Sequence, residues 1–250
     1  MPGPFPTVTF TEDSIPEWCC PTCMAPSLEL LPGSFHSQHS AYSLRYRRED
    51  WYDYDHEEFV FTCILQCRRS SCRESVAVSG SGRGEREPDE RQEEMVYYTV
   101  YRAKSFAPPL PVFSLPEACP DDVKCQLKMA ASLLPISGSA ALNSIRVALE
   151  LLLDNMAIPR FNTEGKEPWP IKLGRRIERF KDILGPHYET FDALKDIGNH
   201  ASHSDAKIRQ SHIEGACSLM DDLIRQLFGQ ITDFALIART LQDSYGRNRD

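Results

Sequence analysis

The spacing of hydrophobic residues along the 250-residue chain changes near residue 120. Before that point, β-branched and aromatic residues are concentrated in short stretches, at residues 58–66, 74–79 and 95–101, where they partly alternate with polar residues. Alternation with a period of two is typical of half-buried β-strands. We therefore predict a small sheet in the N-terminal part of the chain.

After residue 120 the apolar residues recur with the helical period of about 3.6. The predicted helices cover residues 121–134, 139–156, 173–184 and about 187–198, and an amphipathic pattern continues over residues 213–241. Asp121 or Asp122 is the expected cap of the first helix, and Gly185 with Pro186 ends the third. Residues 159–170 are a predicted loop. The last pattern is either one long helix or two helices broken near Gly229.

Two segments punctuate these patterns. Residues 80–94 contain glycine, serine and charged residues with almost no apolar side chain, so we predict a mobile loop there. Residues 106–120 hold five prolines and separate the two kinds of spacing. The predicted organisation is a β domain over residues 1–105, a linker over residues 106–120 and an all-α domain over residues 121–250, which together make an α+β protein.

Four cysteines of the β domain have the spacing of a metal site. Cys20 and Cys23 form a C-x2-C pair, and Cys67 and Cys72 form a C-x4-C pair. Four thiolates from two turns satisfy the tetrahedral coordination of structural zinc, which leaves no open position for a substrate. We predict that these residues hold a structural Zn²⁺ ion and that the β domain is a zinc ribbon.

Cys19 and Cys63 are alternative ligands because they lie beside the predicted ones in sequence. A buried free cysteine is the simpler interpretation of Cys63, which lies four residues before Cys67 in a strand pattern. A redox role for the C-x2-C pair is disfavoured because a second pair is present and the surrounding pattern is not βαβ.

Charge limits the kinds of partner that the chain can bind. The net charge is -8, which argues against broad attachment to phosphate backbones. Any contact with nucleic acid must therefore be local, and the chain offers three basic clusters: Arg45, Arg47 and Arg48; Arg68 and Arg69; Arg175, Arg176 and Arg179. For each cluster, a solvated charged face is the simpler interpretation. Residues 42–56 also contain many aromatic side chains, but neighbouring acids favour a packed loop there.

The cellular location follows from segments that the sequence lacks. No apolar run approaches the ~18 residues that span a bilayer, and the first residues do not have the pattern of a signal peptide. We therefore expect a cytoplasmic protein without membrane contact. In that compartment cysteines are more often metal ligands than disulfide partners.

Polar residues recur one helical turn apart in the helical domain. Arg146 and Glu150 share a face of the second predicted helix, and Lys195, Asn199 and His203 share a face if the fourth continues. Amide, imidazole and ammonium groups would then converge, and a histidine there could act as an acid or base on a ribose hydroxyl or phosphate ester. The simpler alternative for Arg146 and Glu150 is a surface ion pair. For the other motif, Gly198 would allow close helix packing, and Asn199 and His203 would cap or cross-link helices.

These motifs together resemble a bacterial family of unknown function that is grouped with the HEPN (higher eukaryotes and prokaryotes nucleotide-binding) superfamily. The resemblance rests on the C-P-x-C and C-x4-C ribbon, the proline-rich bridge, the R-x3-E helix and the closing G-N-x3-H motif. It implies a HEPN-like helical bundle that forms a homodimer. Many members of the superfamily are metal-independent endoribonucleases of phage-defence systems that use an R-N-x3-H motif.

The resemblance also implies roles for individual residues. His203 would be the acid and base, Asn199 would orient the phosphate or His203, and Lys195 or Arg146, with Glu150 beside it, would stabilise charge. Gly198 occupies the position of the motif arginine. Two functions therefore remain open: an antiviral effector that cleaves RNA or tRNA, and a non-catalytic module that binds nucleic acid or an operon-encoded protein partner. A zinc hydrolase would require an open coordination position.

Overall fold

The computed structural model describes residues 3–88, 94–163, 167–203 and 208–229, with four further positions between residues 239 and 244. Its mixed α+β composition confirms the predicted class. The first part of the chain contains β1 (Leu28–Leu30), β2 (His36–His39), α1 (Ala41–Tyr46), β3 (Glu58–Cys67), β4 (Ser75–Pro88) and β5 (Met95–Ala107). The second part contains α2 (Asp121–Leu133), α3 (Gly138–Asn155), β6 (Phe161–Asn162), β7 (Trp169–Pro170), α4 (Leu173–Arg179), α5 (Lys181–Leu184), α6 (Tyr188–His203) and α7 (Gln210–Phe228).

The first five strands form one antiparallel sheet in the order β1-β3-β4-β5, and β2 also pairs with β3. Alternate residues of the central strands point into a core, where Leu65, Val76 and Ala103 are fully buried. The N-terminal segment covers this core, since the rings of Phe10 and Trp18 meet edge to face at 5.4 Å. Aromatic burial therefore stabilises the sheet, whose strand β3 ends at Cys67.

The prediction of a mobile loop over residues 80–94 is wrong for most of its length, because β4 continues to Pro88 and β5 begins at Met95. The glycines there serve close packing between strands. A Cβ atom at Gly80, beside a register shift, would lie 2.2 Å from the carbonyl oxygen of Arg102, and one at Gly84 would lie 2.2 Å from that of Tyr54. Residues 89–93 lie outside the described part of the chain.

The helices of the second part share one core. Its fully buried members include Leu127 of α2, Leu149 of α3, Phe191 of α6 and Met220 of α7. The N-terminus of α3 is capped by Ser137, whose hydroxyl accepts a hydrogen bond of 3.2 Å from the backbone amide of Ala140. The apolar residues that recur with the helical period are therefore the ones that pack in this core.

Four local predictions in this part need correction. Pro120 caps α2, and the two aspartates lie in its first turn. The predicted third helix is interrupted at Phe180, the predicted loop over residues 159–170 contains the small β6–β7 hairpin, and α6 extends to His203. Helix α7 ends at Phe228, while residues 230–238 and 241 of the predicted amphipathic pattern lie outside the described residues. The helical part is thus not strictly all-α.

The N-terminal segment of the chain and the proline-rich linker both contact the helical part. The hydroxyl of Thr7 donates to Glu214 of α7 at 2.9 Å, and Phe5 packs against the helical core. In the linker, the backbone amide of Ser114 donates to the fully buried Asp221.

None of the helices among the described residues is both long and apolar enough to cross a membrane.

Candidate metal centre and cationic cavity

The four predicted cysteine ligands come together at one end of the sheet. The Sγ atoms of Cys20, Cys23, Cys67 and Cys72 all lie within 4.8 Å of one another, with 3.6 Å between Cys20 and Cys72 and 3.7 Å between Cys23 and Cys67. A tetrahedron with Zn–S bonds of ~2.3 Å has sulfur atoms about 3.8 Å apart. The four thiols could therefore hold a metal ion, and the donor set is compatible with zinc.

Two turns position these sulfur atoms. Cys20 and Cys23 lie in a turn closed by a hydrogen bond of 2.9 Å from the amide of Met24 to the carbonyl of Cys20. Met24 has a φ of 58°, and Arg73, which follows Cys72, has a φ of 54°. Non-glycine residues adopt this left-handed conformation rarely and at a cost of about 1–3 kcal/mol. Both cysteine pairs are thus followed by a strained residue that turns the chain sharply.

The thiols of the cluster differ in how readily they lose a proton. Burial raises the pKa of Cys20 to about 12, whereas a hydrogen bond from the backbone of Ala25 lowers the pKa of Cys23 to about 6. The hydroxyl of Ser27 lies 3.1 Å from the Sγ atom of Cys67. Because metal ions bind thiolates, a metal would gain one ligand that is already charged and release a proton from another.

Cys19 and Cys63 lie outside this cluster. Cys63 faces Val78 across β3 and β4 and is 3% exposed, and burial raises its pKa to about 11. Cys19 is buried beside Pro26, and burial raises its pKa as well. Of the cysteines that the structure describes, only the two predicted pairs come close enough to share one ion.

A cavity of about 890 Å³ opens between α3, the β6–β7 hairpin, α4 and α6. Cationic side chains dominate its wall, with four arginines, one lysine and a single acid. The lining residues are Arg146, Glu150, Arg160, Phe161, Pro170, Ile171, Lys172, Leu173, Gly174, Arg175, Arg176 and Asn199. In a chain with a net charge of -8, this is a marked local excess of positive charge.

The aliphatic part of the Arg146 side chain lies where α3 approaches α6. A Cβ atom at Gly198 would lie 3.1 Å from the Cβ atom and 3.3 Å from the Cδ atom of Arg146, so the arginine lies across the glycine. Arg146 pairs with Glu150 at 3.9 Å, and its Nε atom is buried without a hydrogen-bond partner among the described residues. An arginine of α3 therefore lies directly against Gly198 of α6.

Arg176 forms the inner wall of the cavity. It is 2% exposed, and its Nη2 atom donates to the carboxylate of Asp154 at 2.8 Å and to the carbonyl of Ile158 at 2.7 Å. Arg160 donates to the same carboxylate at 2.7 Å. Burial alone would raise the pKa of Asp154, but the hydrogen bonds from both arginines outweigh it and hold that pKa below its ordinary value.

Lys172 and Arg175 are exposed, as Arg160 is, but they differ from Arg160 in their lack of a carboxylate partner among the described residues. Neither has an ion pair with any carboxylate in the part of the chain that the structure describes. Their charges therefore remain available to a ligand in the cavity.

Only some of the predicted polar residues meet in the cavity. Asn199 lies there with Arg146 and Glu150. The ammonium group of Lys195 instead pairs with Asp192 at 2.5 Å and Asp196 at 3.0 Å, and these contacts raise its pKa although burial opposes them. The backbone of His203 belongs to α6, but its side chain lies outside the described part of the structure.

Sequence reasoning missed Arg160, Phe161 and Lys172 as cavity residues. All three lie in or beside the predicted loop, and no periodic pattern marks them. The sequence presents Arg175 and Arg176 only as members of a basic cluster with Arg179. The missed signal is the density of basic residues on both sides of a short aromatic hairpin.

The aromatic residues of the segment 42–56 pack against one another at the surface. The rings of Tyr42 and Tyr46 lie 5.0 Å apart, and Trp51 meets His56 edge to face at 5.4 Å. Arg86 pairs with Asp55 at 2.7 Å. These contacts agree with the packed arrangement that the sequence favours, although half of Trp51 remains exposed.

Two families match separate ranges of the chain. Residues 8–109 match Domain of unknown function (DUF8608), and residues 128–243 match Domain of unknown function (DUF4145). No curated protein and no solved structure matches. The first range contains the four clustered cysteines and the second contains the cationic cavity, so each candidate site lies inside one matched family.

Proposed function

We propose that the helical part of this protein binds RNA through the cationic cavity. The observation that carries the proposal is the convergence of Arg146 of α3 with Lys172 and Arg175, at the start of α4, on one concave surface of an acidic protein. Arginine and lysine side chains bind phosphate oxygens through charge-assisted hydrogen bonds. Concave surfaces of one sign also concentrate oppositely charged ligands.

The surrounding groups support a binding role for these cations. Lys172 and Arg175 lack carboxylate partners among the described residues, and the Nε–H group of Arg146 is unused. Asn199 adds an amide that can donate to phosphate and accept from a hydroxyl. A ligand with several phosphates satisfies more of these donors than a single anion does, which favours a nucleic acid strand.

Cleavage of the bound RNA is the catalytic form of this proposal, and it draws on the resemblance to the HEPN superfamily. In that form His203, four positions after Asn199 in α6, exchanges the proton and Arg146 supplies the charge that Gly198 lacks. The same resemblance places the activity in antiviral defence. The alternative form is a binding module without turnover, which Gly198 and the local pairing of Lys195 favour.

Binding is tested with fluorescently labelled RNA and tRNA titrated against purified full-length protein. Arg175→Ala should weaken binding about fivefold to tenfold, because one phosphate contact is lost. Lys181→Ala is the matched control, since it removes another exposed cation of the helical part, one that does not line the cavity. Equal affinities of the two variants and the parent protein would overturn the proposal.

Cleavage is tested on the same RNAs by gel analysis of the parent protein and His203→Ala. Products that disappear in the variant, while its RNA affinity is kept, would establish the ribonuclease. RNA binding without products in either protein would establish the binding module. Chelator treatment is informative only if zinc content is measured alongside, because loss of a structural ion also abolishes activity.

We also propose that the cysteine cluster binds zinc as a structural ion. The spacing of its four sulfur atoms supports tetrahedral coordination, and four protein ligands leave no position for water or substrate. Elemental analysis should then find about one zinc ion per chain. The predicted homodimer and the protein partner stay predictions, for which light scattering and affinity purification are the direct measurements.

A further inference from the structure

Two kinds of side chain line the cationic cavity. Arg146, Arg175 and Lys172 are charged, whereas Phe161, Pro170 and Ile171 are apolar. A nucleotide combines the same two features, a charged phosphate and a flat aromatic base. The cavity volume of about 890 Å³ also lies within the ~300–1,000 Å³ that small-ligand sites occupy.

Phe161 is the unusual apolar residue of the cavity lining. It is 51% exposed, although covering an aromatic side chain from water is favourable by roughly 1.5–3 kcal/mol. The hairpin that carries it is held in place, because the amide of Ile171 donates to the carbonyl of Arg160 at 2.8 Å. An exposed ring on a fixed backbone at the rim of a cationic cavity is suited to stack on a base.

We infer that the cavity binds a nucleotide with an unpaired base, whose phosphate contacts Arg146 and Arg175 and whose base stacks on Phe161. This inference rests on the proposed RNA binding and specifies its substrate class as single-stranded RNA. In a duplex the bases are already stacked and paired, so reaching Phe161 would require a base to leave the helix. The protein should therefore prefer single strands to duplexes.

The hairpin itself offers a matched control. Phe161 pairs with Pro170 and Asn162 pairs with Trp169, so the alternation of side chains separates Phe161 from Trp169 on opposite faces. Accordingly, Phe161 and Pro170 line the cavity and Trp169 does not. Trp169 is nevertheless 44% exposed. The same hairpin therefore carries two exposed aromatic residues on opposite faces, and only one of them lines the cavity.

The test measures the affinity of the full-length protein for three RNAs of one length: a single strand, its duplex and a single strand with abasic positions. Phe161→Ala should weaken binding of the intact single strand about fivefold to a hundredfold, the range expected for one stacked base. It should leave the affinity for the abasic strand unchanged. Trp169→Ala should bind all three RNAs as the parent protein does.

The outcomes separate this inference from the proposal beneath it. If Arg175→Ala weakens binding but Phe161→Ala does not, RNA binding stands and base stacking is wrong. If neither variant changes binding, both fail. Equal affinity for duplex and single strand would also overturn the inference. Phe161→Leu keeps an apolar side chain without an aromatic face, so it should reproduce the loss, and its thermal unfolding should match that of the parent protein.

Discussion

The cysteine cluster and the cationic cavity differ in how the chain assembles them. Two short turns deliver all four sulfur atoms, and the spacing within each pair is visible in the sequence. The cavity instead draws residues from α3, a two-stranded hairpin, α4 and α6, which are brought together only by the packing of the helical core. Local stereochemistry defines the first site, and tertiary structure defines the second.

The two sites also differ in their relation to stability. A structural zinc site contributes directly to folding, with apparent binding free energies of about 10–16 kcal/mol in zinc-finger peptides. Most cations of the cavity are exposed and contribute little to folding, since surface charges are worth about 0–1 kcal/mol. Arg176 is the exception because it is buried and paired. Stability measurements should therefore distinguish the sites residue by residue.

Removing one cysteine of the cluster should have the largest effect. Cys67→Ser should lose zinc and unfold the N-terminal sheet, because Cys67 is fully buried at the end of β3 and three thiolates bind zinc much more weakly. Zinc content by elemental analysis and sheet content by circular dichroism are the measurements. Retention of a full zinc complement would contradict the assignment.

Cys63→Ser is the matched control for this change. Cys63 is equally buried in β3 and four residues away, but it lies outside the cluster. The substitution places a hydroxyl in an apolar core, so it should cost about 1–3 kcal/mol of unfolding free energy and leave the zinc content unchanged. Loss of zinc in this variant would mean that Cys63 acts as a ligand.

The same contrast explains what could be predicted from the sequence. The C-x2-C and C-x4-C pairs and the periods of the strands and helices are local patterns, and the structure has the cysteines clustered and the α+β class as expected. The loop prediction over residues 80–94 is wrong because glycine composition cannot distinguish flexibility from close strand packing at Gly80. The spacing of Lys195 and Asn199 places them on one helix face, but it does not show that Lys195 pairs with Asp192 and so stays out of the cavity.

Arg176 should show the next largest effect on stability. Arg176→Ala should lower the unfolding free energy by about 3–5 kcal/mol, because it empties a buried site and removes a hydrogen-bond donor from Asp154. Its neighbour Arg175 is exposed, and Arg175→Ala should change stability by less than about 0.5 kcal/mol. Urea denaturation of both variants is the measurement. Similar losses of unfolding free energy in the two variants would mean that the buried ion pair of Arg176 with Asp154 contributes no more to stability than the exposed Arg175 does.

Asp154 makes the stability of the folded protein depend on pH. Its pKa in the folded protein lies below the ordinary value of 3.8. Its contribution to the free energy of unfolding is therefore fully present above pH 3.8 and is lost as the pH falls through the lower, folded-state pKa. Asp154→Asn should therefore be clearly less stable than the parent protein at neutral pH. The difference should shrink only below about pH 4.

Exposed Asp182 of α5 is the control for this pH dependence. Asp182→Asn should match the parent protein within about 0.5 kcal/mol at neutral pH, since substitutions at exposed positions away from special features change stability little. Urea denaturation at several pH values compares the two variants. A difference for Asp154→Asn that is constant down to pH 2 would contradict the ion pair with the arginines.

The smallest expected effect concerns the contact between α3 and α6. Alanine in place of an exposed helical glycine stabilises by about 0.5–1 kcal/mol, and Gly215→Ala in α7 should do so because no atom lies within 4 Å of the new Cβ atom. Gly198→Ala should gain less or lose stability, since its Cβ atom would lie 3.1 Å from that of Arg146. Because the arginine must shift, only Gly198→Ala should also weaken RNA binding. Equal stability gains with unchanged RNA affinity would show that the glycine of α6 does not fix the position of Arg146, and the cavity would then lose its link to the G-N-x3-H motif.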